Sequence, residues 1–226
     1  MMSDAVDLRI NKNWGRHEFT WRRAVSDRYN SEWISSRQLN YAEPKSLSQI
    51  DGIVGDTVGC NDYQVVWLKN IDRLMDMLPE SISPANYHLL DLGCGAGIST
   101  LYFHDVYPFQ STMGVDFSKE LIDKAWENLS IYAAKFKGQS GQIKFHCADV
   151  RVFSLSLDTQ FIIFIYNPFE FDIMEIFIKN NLEALQENNC IIIYANDVHI
   201  EKLISLSLFK YVKRCSVNNL SVLEFK

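Results

Sequence analysis

From residue 88 onward, short apolar runs alternate with longer amphipathic segments along the chain. The runs HLLDL, STMGVD, QIKFHC, QFIIFIY and CIIIYA are short and mostly apolar, so they predict five buried strands. The segments between them repeat apolar residues at helical spacing and predict helices over 97–107, 118–136, 171–186 and 199–209. Two further strands, KYVKRCSV and LSVLEF, flank the turn NN near the C-terminus.

This alternation of strands and helices predicts an α/β fold. The expected architecture is a Rossmann-like, doubly wound sheet of seven strands, mostly parallel, with an antiparallel strand added by the C-terminal hairpin. The helix over 118–136 has the most regular pattern, because a serine stands where it can cap the N-terminus. Its predicted apolar face consists of Leu121, Ile122, Ala125, Trp126 and Leu129.

The first 60 residues have a different pattern. The segment RHEFTWRRAVSDRYNSEWISSRQL predicts a basic and aromatic helix, and three of the five tryptophans fall in this part of the chain. A second amphipathic helix is predicted over 61–78, and the glycine-rich stretch DGIVGDTVGCND marks a boundary before it. We therefore predict a helical N-terminal appendage over 1–60 and an α/β domain over 61–226.

Composition and charge narrow the class of protein. A chain of 226 residues with 47% apolar content suits one domain with an appendage. The start of the chain resembles no secretory signal, and the longest apolar run, FIIFIY, is much shorter than the ~20 residues that span a bilayer. We expect a cytoplasmic protein without membrane insertion. The five cysteines are scattered without a C-x-x-C pair, so neither a disulfide framework nor a metal site is indicated.

The stretch LLDLGCGAGIST, residues 89–100, contains three alternating glycines directly after a predicted strand. A phosphate-binding P-loop would need a lysine shortly after Gly97, and none is present. The dinucleotide fingerprint G-x-G-x-x-G would need a glycine at the position of Ile98. What remains is the pattern D-x-G-x-G-x-G, which begins at Asp91.

Four polar residues end or follow the first four predicted strands: Asp91, Asp116, Asp149 and Asn167. In an open parallel sheet, the ligand lies beyond the carboxyl ends of the strands, near the point where the strand order reverses. These side chains are therefore expected to meet at one edge of the sheet. Their regular placement indicates a ligand site more specifically than the glycine turn alone does.

Several stretches together resemble class I S-adenosylmethionine-dependent methyltransferases. The pattern D-x-G-x-G-x-G resembles motif I of that family, GVD at 114–116 its acidic end of strand two, and CADV at 147–150 its adenine-contacting loop. IYNPF at 165–169 is similar to motif IV, and the likeness covers roughly 61–226 in the same order. More narrowly, YPFQSTMGVDFSKELIDKAWENL followed by YNPF resembles a bacterial group of such enzymes with largely unassigned substrates.

The resemblance implies a transferase that uses S-adenosylmethionine as its cofactor. The glycines would let the backbone approach the methionine part and the ribose, and Asp91 would order that loop and the cofactor's ammonium group. Asp116 would accept hydrogen bonds from the ribose hydroxyls, and Asp149 one from the adenine amino group. The predicted cofactor-binding residues are Asp91, Gly93, Cys94, Gly95, Gly97, Asp116, Phe117, Asp149, Val150 and Asn167.

The segment NPF, residues 167–169, is the candidate for the chemistry. It resembles the N-P-P-[YF] motif of amine-directed methyltransferases but lacks the second proline, and Glu170 follows instead. Asn167 could accept a hydrogen bond from an amine, and Phe169 could confine the acceptor, so both are predicted catalytic residues. No base or metal cluster is evident for activating a hydroxyl, which favours N-methylation over O-methylation.

The methyl acceptor and the oligomeric state stay open at this point. A small molecule or a protein side chain is favoured over nucleic acid, because the net charge is −6. The basic and aromatic N-terminal segment keeps a nucleic-acid-binding protein or nucleic-acid methyltransferase as the alternative. A module that retains the fold without chemistry, or a dehydrogenase, is less compatible with the intact acids and the missing third glycine.

Overall fold

The computed structural model describes residues 16–136 and 142–226, and it contains a single seven-stranded sheet. The order of strands is β3-β2-β1-β4-β5-β7-β6. The first five strands are parallel, whereas β7 runs antiparallel between β5 and β6. The predicted fold class is thereby confirmed. The strands are β1 His88–Leu92, β2 Thr112–Asp116, β3 Ile143–Cys147, β4 Phe161–Ile165, β5 Ile191–Ala195, β6 Phe209–Cys215 and β7 Leu220–Phe225.

Burial follows the position of each strand in the sheet. Every residue of β4 and β5 is buried, because helices cover both faces of these central strands. The edge strands β3 and β6 alternate between more and less exposed positions. The helices are α1 Arg16–Arg37, α2 Leu68–Met75, α3 Ile98–Val106, α4 Lys119–Lys135, α5 Phe171–Asn180, α6 Leu182–Glu187 and α7 Ile200–Ser205.

Helix α4 forms as predicted, with one exception on its apolar face. The Ser118 side chain accepts a hydrogen bond from the Leu121 backbone N–H and so caps the helix. Trp126 is 43% exposed and contacts the edge of the Phe145 ring instead of entering the core. It therefore shields the outermost parallel strand, while the other four predicted residues are buried.

The helix predicted over 171–186 is interrupted at Asn181, where α5 ends and α6 begins. The Asn181 side chain accepts a hydrogen bond from Leu155 N–H and donates to the carbonyl oxygens of Phe153 and Phe177. These bonds compete with the helical ladder and end it locally. They also tie the helix to the loop after β3.

The prediction of a helix over 61–78 is wrong for the first half of that range. Residues 61–67 are extended, and only Leu68–Met75 is helical. The Tyr63 N–H and carbonyl pair with those of Lys45, and the Asn30 side chain accepts a hydrogen bond from the first helical N–H, that of Leu68. Because these partners are far away in sequence, the local apolar spacing could not reveal them. The extended segment crosses the carboxyl end of the sheet.

Helix α1 packs on the α/β domain through aromatic and polar contacts. The Asp72 carboxylate accepts hydrogen bonds from the hydroxyl groups of Tyr29 on α1, Tyr102 on α3 and the nearby Tyr107. Buried residues of α1 such as Trp33 belong to the same hydrophobic core as the sheet. The predicted boundary at residue 60 stays a prediction, and residues 1–15 of the predicted appendage lie outside the described residues.

Candidate functional site

A cleft with an empty volume of about 680 Å³ opens at the carboxyl ends of the parallel strands. Six residues predicted from the sequence line it: Gly93, Asp116, Phe117, Asp149, Val150 and Phe169. The structure thus brings residues from four loops together at one site.

The glycine turn between β1 and α3 folds back onto the end of β2. The backbone N–H groups of Gly93 and Cys94 donate to the Val115 carbonyl, and the Gly95 N–H donates to Asp116 Oδ2 at 2.9 Å. Gly95 has a φ of 54°, and a Cβ there would collide with the Tyr63 ring. Gly95 and Gly97 therefore shape the loop behind the cleft without lining it.

Asp116 at the end of β2 is buried and holds two loops in place. Its Oδ2 accepts from Gly95 N–H and its Oδ1 from Ser118 N–H, both at 2.9 Å. Burial raises the pKa of Asp116 to about 6, although the backbone hydrogen bonds act in the opposite direction. Each carboxylate oxygen has a second lone pair, so both remain able to accept a ligand hydroxyl.

Asp91 lies at the end of β1, beside a smaller cavity of about 300 Å³. Its Oδ2 accepts hydrogen bonds from the hydroxyl groups of Ser99 at 2.6 Å and Thr100 at 2.7 Å. Burial raises the pKa of Asp91 to about 6 as well. The smaller cavity and the cleft share four lining residues: Tyr63, Gln64, Gly93 and Tyr166. Cys94 lines only the smaller cavity.

Asp149 follows β3 and forms an ion pair that the sequence analysis did not predict. Arg151 donates from Nε and from its terminal nitrogen to the carboxylate, at 2.7–3.0 Å. Burial alone would raise the pKa of Asp149, but the hydrogen bonds and charge of Arg151 outweigh it and lower the pKa. Asp149 and Arg151 are only two residues apart after a predicted strand, so the sequence alone could have indicated this ion pair.

A loop over residues 51–60, which the sequence analysis treated only as a boundary, covers one side of the cleft. Val54 N–H donates to the Phe117 carbonyl, and Gly59 accepts from Glu170 N–H. This cover loop contributes Asp56 and Cys60 to the lining. The extended segment after it adds Asn61, Asp62, Tyr63 and Gln64. These contacts are long-range, so no local pattern indicates them.

Asn167 and Phe169 follow β4 and are each 4% exposed. The Asn167 carbonyl accepts from Asn61 Nδ2 at 3.0 Å, and its side-chain Oδ1 accepts from the Tyr194 hydroxyl at 3.4 Å. Phe169 lines the cleft together with Pro168, whereas Asn167 does not. The backbone of Asn167 is left-handed, with a φ of 45°, which asparagine tolerates better than most residues.

The raised pKa values of Asp91 and Asp116 predict a pH dependence of ligand binding. A cationic ligand or a sugar hydroxyl is held best by the ionised carboxylates, so the affinity for a ligand of this kind should rise as the pH rises through about 6. Between pH 7.5 and pH 5.5 we expect a loss of about tenfold, measured by calorimetric titration. Asp116→Asn should reduce this dependence, and an affinity that stays constant over the range would contradict it.

The same shifts predict the opposite trend for the protein without ligand. Because the folded state holds these protons more tightly than the unfolded state, the two groups stabilise the fold fully below about pH 4. Their contribution to the free energy of unfolding is lost as the pH rises through about 6. Denaturant titrations of the unliganded protein at several pH values measure this second trend.

The fold is similar to that of solved methyltransferases. A human methyltransferase 10 domain containing protein is similar with a TM-score of 0.55 and 12% identity, over 92% of this chain and 99% of that chain. The mitomycin 7-O-methyltransferase MmcR is similar with a TM-score of 0.52 and 11% identity, over 70% of this chain and 53% of that chain. At these identities the likeness concerns the fold.

Residues 89–188 match the family model described as a methyltransferase domain. This match supports a methyltransferase. An uncharacterized protein of Rickettsia prowazekii (strain Madrid E) is 34% identical over 64 residues. That match covers 28% of this chain, and the chain spans only 25% of the length of this curated relative.

Within residues 16–136 and 142–226, no helix is long and apolar enough to cross a membrane. In the same ranges, no three side chains of histidine, cysteine, aspartate or glutamate are grouped so that they could hold a metal ion.

Proposed function

We propose that the protein transfers a methyl group from S-adenosylmethionine to an amine nitrogen of a small molecule or a protein side chain. The observation that carries this proposal is the pair of adjoining cavities between the acids at the ends of β1 and β2. The larger one suits the nucleoside and the smaller one the amino-acid part of the cofactor.

In this proposal each end of the cofactor meets chemically matched side chains. The ribose hydroxyls donate to Asp116, and the adenine ring lies between Phe117 and Val150 in the cleft. Asp149 accepts from the adenine amino group, and its ion pair with Arg151 keeps it ionised for this purpose. At the other end, Asp91 and the glycine turn, including Cys94, surround the methionine part.

Transfer to nitrogen needs positioning more than it needs a strong base. The amine lone pair attacks the methyl carbon, the carbon–sulfur bond breaks, and S-adenosylhomocysteine leaves as a neutral thioether. Holding the two reactants in line supplies most of the acceleration. Phe169 confines the acceptor in the cleft, and its ring attracts the positive charge that develops on nitrogen, worth ~0.5–2 kcal/mol.

Asn167 is the second proposed catalytic residue, and its present contacts define what it must do. To accept from the amine N–H, its carboxamide must give up the 3.4 Å hydrogen bond from Tyr194. A hydrogen bond of this length is weak, so the exchange costs little. Asn61 holds the backbone of this turn, because its N–H donates to the Pro168 carbonyl and its Nδ2 to the Asn167 carbonyl.

The ion pairing of α1 favours a small molecule or a protein over nucleic acid as the acceptor. Four of its arginines already face carboxylates, which reduces the positive charge available to phosphates. A gel shift with single-stranded and duplex nucleic acid at low salt tests this preference, and salt-sensitive binding would favour the alternative. The pairs are Arg22–Glu18, Arg23–Asp27, Arg28–Glu32 and Arg37–Asp105.

A thermal shift experiment tests the cofactor. We expect S-adenosylmethionine and S-adenosylhomocysteine to raise the melting temperature, because a ligand at ~100 times its Kd stabilises the fold by ~2.7 kcal/mol. NAD should give no such shift, since Ile98 occupies the position of the third fingerprint glycine. A larger shift with NAD than with either methionine derivative would contradict the assignment.

The role of Asn167 is tested by Asn167→Ala. We expect methyl transfer to be abolished while the affinity for S-adenosylhomocysteine stays nearly unchanged, because Asn167 is proposed to act on the acceptor and lines neither of the two cavities proposed for the cofactor. Turnover is followed with labelled S-adenosylmethionine and fractions of cell extract, and product analysis identifies the methylated atom. Asn188→Ala at the end of α6 is the control. Full activity of Asn167→Ala, or an O-methylated product, would refute this part.

A further inference from the structure

Gln64 carries an unsatisfied hydrogen-bond acceptor at the junction of the two cavities. Its side-chain Oε1 is shielded from solvent and has no hydrogen-bond partner among the described residues. The same residue lines both the cleft and the smaller cavity. A buried carbonyl oxygen without a donor is unfavourable, so its retention at a ligand site indicates that a ligand supplies the donor.

The backbone around Gln64 is fixed on both sides. On one side, Tyr63 pairs with Lys45, and its ring packs on Gly95. On the other side, the Val66 carbonyl accepts a hydrogen bond from the Asn30 side chain at 2.7 Å. Gln64 is therefore held in an extended segment that crosses the sheet end, and its side chain has a defined place between the cavities.

The position of the junction identifies the ligand atom concerned. If the nucleoside lies in the cleft beside Asp116 and the amino-acid part lies in the smaller cavity beside Asp91, the sulfur lies where the two cavities meet. The walls that they share include Gln64, Gly93 and Tyr166. The reactive methyl group and the attacking atom of the acceptor then lie next to Gln64.

This inference rests on the proposed function. We propose that Gln64 Oε1 accepts a hydrogen bond from the N–H of the methyl acceptor and so aims the lone pair of that nitrogen at the methyl carbon. As the nitrogen–carbon bond forms and the carbon–sulfur pair moves to sulfur, the nitrogen becomes positive and its N–H a stronger donor. The hydrogen bond therefore strengthens in the transition state. The extra proton leaves to water afterwards, since an amide oxygen is not a base.

This role defines a substrate class more narrowly than the fold does. A primary amine has a lone pair for attack and two N–H groups, one for Asn167 and one for Gln64. A tertiary amine has no such donor and would leave Oε1 unsatisfied in the complex, which strongly disfavours it. Gln64 is thus a specificity-determining residue for amines that bear hydrogen.

The experiment uses sinefungin, an S-adenosylmethionine analogue in which a carbon bearing an amino group replaces the methylated sulfur. Its ammonium group lies where the methyl group and acceptor meet, so it tests Gln64 without knowledge of the acceptor. Calorimetric titrations compare sinefungin with S-adenosylhomocysteine, which lacks that group. We expect Gln64→Met to lower the affinity for sinefungin at least tenfold and the affinity for S-adenosylhomocysteine less than threefold. Gln64→Glu should raise the affinity for sinefungin relative to the affinity for S-adenosylhomocysteine.

The controls separate this inference from the proposed function. Gln160→Met, next to the amino end of β4, makes the same substitution far from the site and should change neither affinity. The unliganded Gln64→Met variant should melt close to the wild type, because the buried Oε1 has no hydrogen-bond partner to lose. If Gln64→Met lost affinity equally for both ligands, or lost affinity for neither, the role of Gln64 would be overturned. Failure of the wild type to bind either ligand would overturn the proposed function itself.

Discussion

Asp116→Ala is expected to weaken the binding of S-adenosylhomocysteine by about 100-fold or more. Two ribose hydroxyls donating to one carboxylate form charge-assisted hydrogen bonds, which contribute ~1.5–3 kcal/mol each. The substitution also removes the acceptors for Gly95 N–H and Ser118 N–H, which position the glycine turn and the start of α4. The sheet should remain folded, because the side chain lies at the end of β2 and burial opposes its charge.

Calorimetric titration with S-adenosylhomocysteine measures this effect, and circular dichroism checks the fold. Asp116→Asn keeps one oxygen and should lose less affinity than the alanine variant. Asp123→Ala, an exposed acid on α4 that pairs with Lys119, is the matched control and should bind normally. Unchanged affinity in Asp116→Ala would mean that the carboxylate only orders the two loops.

Gly93→Ala is the second substitution with a large expected effect. Gly93 has a φ of 77°, where a residue with a side chain is strained by ~1–2 kcal/mol. An added Cβ would also meet the ring of Pro168, whose position is fixed by the hydrogen bond that Asn61 N–H makes to its carbonyl. Overpacking of this kind costs ~1–3 kcal/mol, so the free energy of unfolding should fall by ~2–5 kcal/mol. Cofactor binding should become undetectable.

A double substitution separates the collision from the backbone strain. Pro168→Gly removes the ring and Cβ that the new methyl group would meet. In a Gly93→Ala/Pro168→Gly protein, the collision is absent while the strain at the positive φ remains. Urea titrations should therefore show that the double variant is more stable than the sum of the single effects predicts. Strict additivity would show that the two residues do not collide.

The pattern of apolar residues was sufficient for the α/β domain because that pattern is a local property. The apolar run HLLDL forms β1, and the helix predicted over 97–107 forms α3 Ile98–Val106. The cap at Ser118 was also predictable, since a serine before an amphipathic helix supplies the missing acceptor within four residues. Asp91 and Asp116, at the ends of β1 and β2, were expected to meet at one site, because parallel strands present their carboxyl ends at one edge.

Other features depended on partners that are distant in sequence. Local spacing predicted a helix from residue 61, but hydrogen bonds from Asn61 to Pro168 and from Tyr63 to Lys45 keep the segment extended. The interruption at Asn181 likewise arises from its bonds to the loop at Phe153. In each case a tertiary hydrogen bond outweighs the helix propensity, which differs among ordinary residues by only about 0.7 kcal/mol at most.

By itself, the sequence determined the order of strands and helices, the glycine turn and the acids that follow the strands. These features follow from side-chain periodicity and backbone sterics within short segments. Only the tertiary structure decided that residues 51–66 cross the sheet end and that the cleft adjoins a second cavity at Gln64. That arrangement depends on hydrogen bonds between segments about 100 residues apart, such as Asn61 Nδ2 to the Asn167 carbonyl, which join only after the chain has folded.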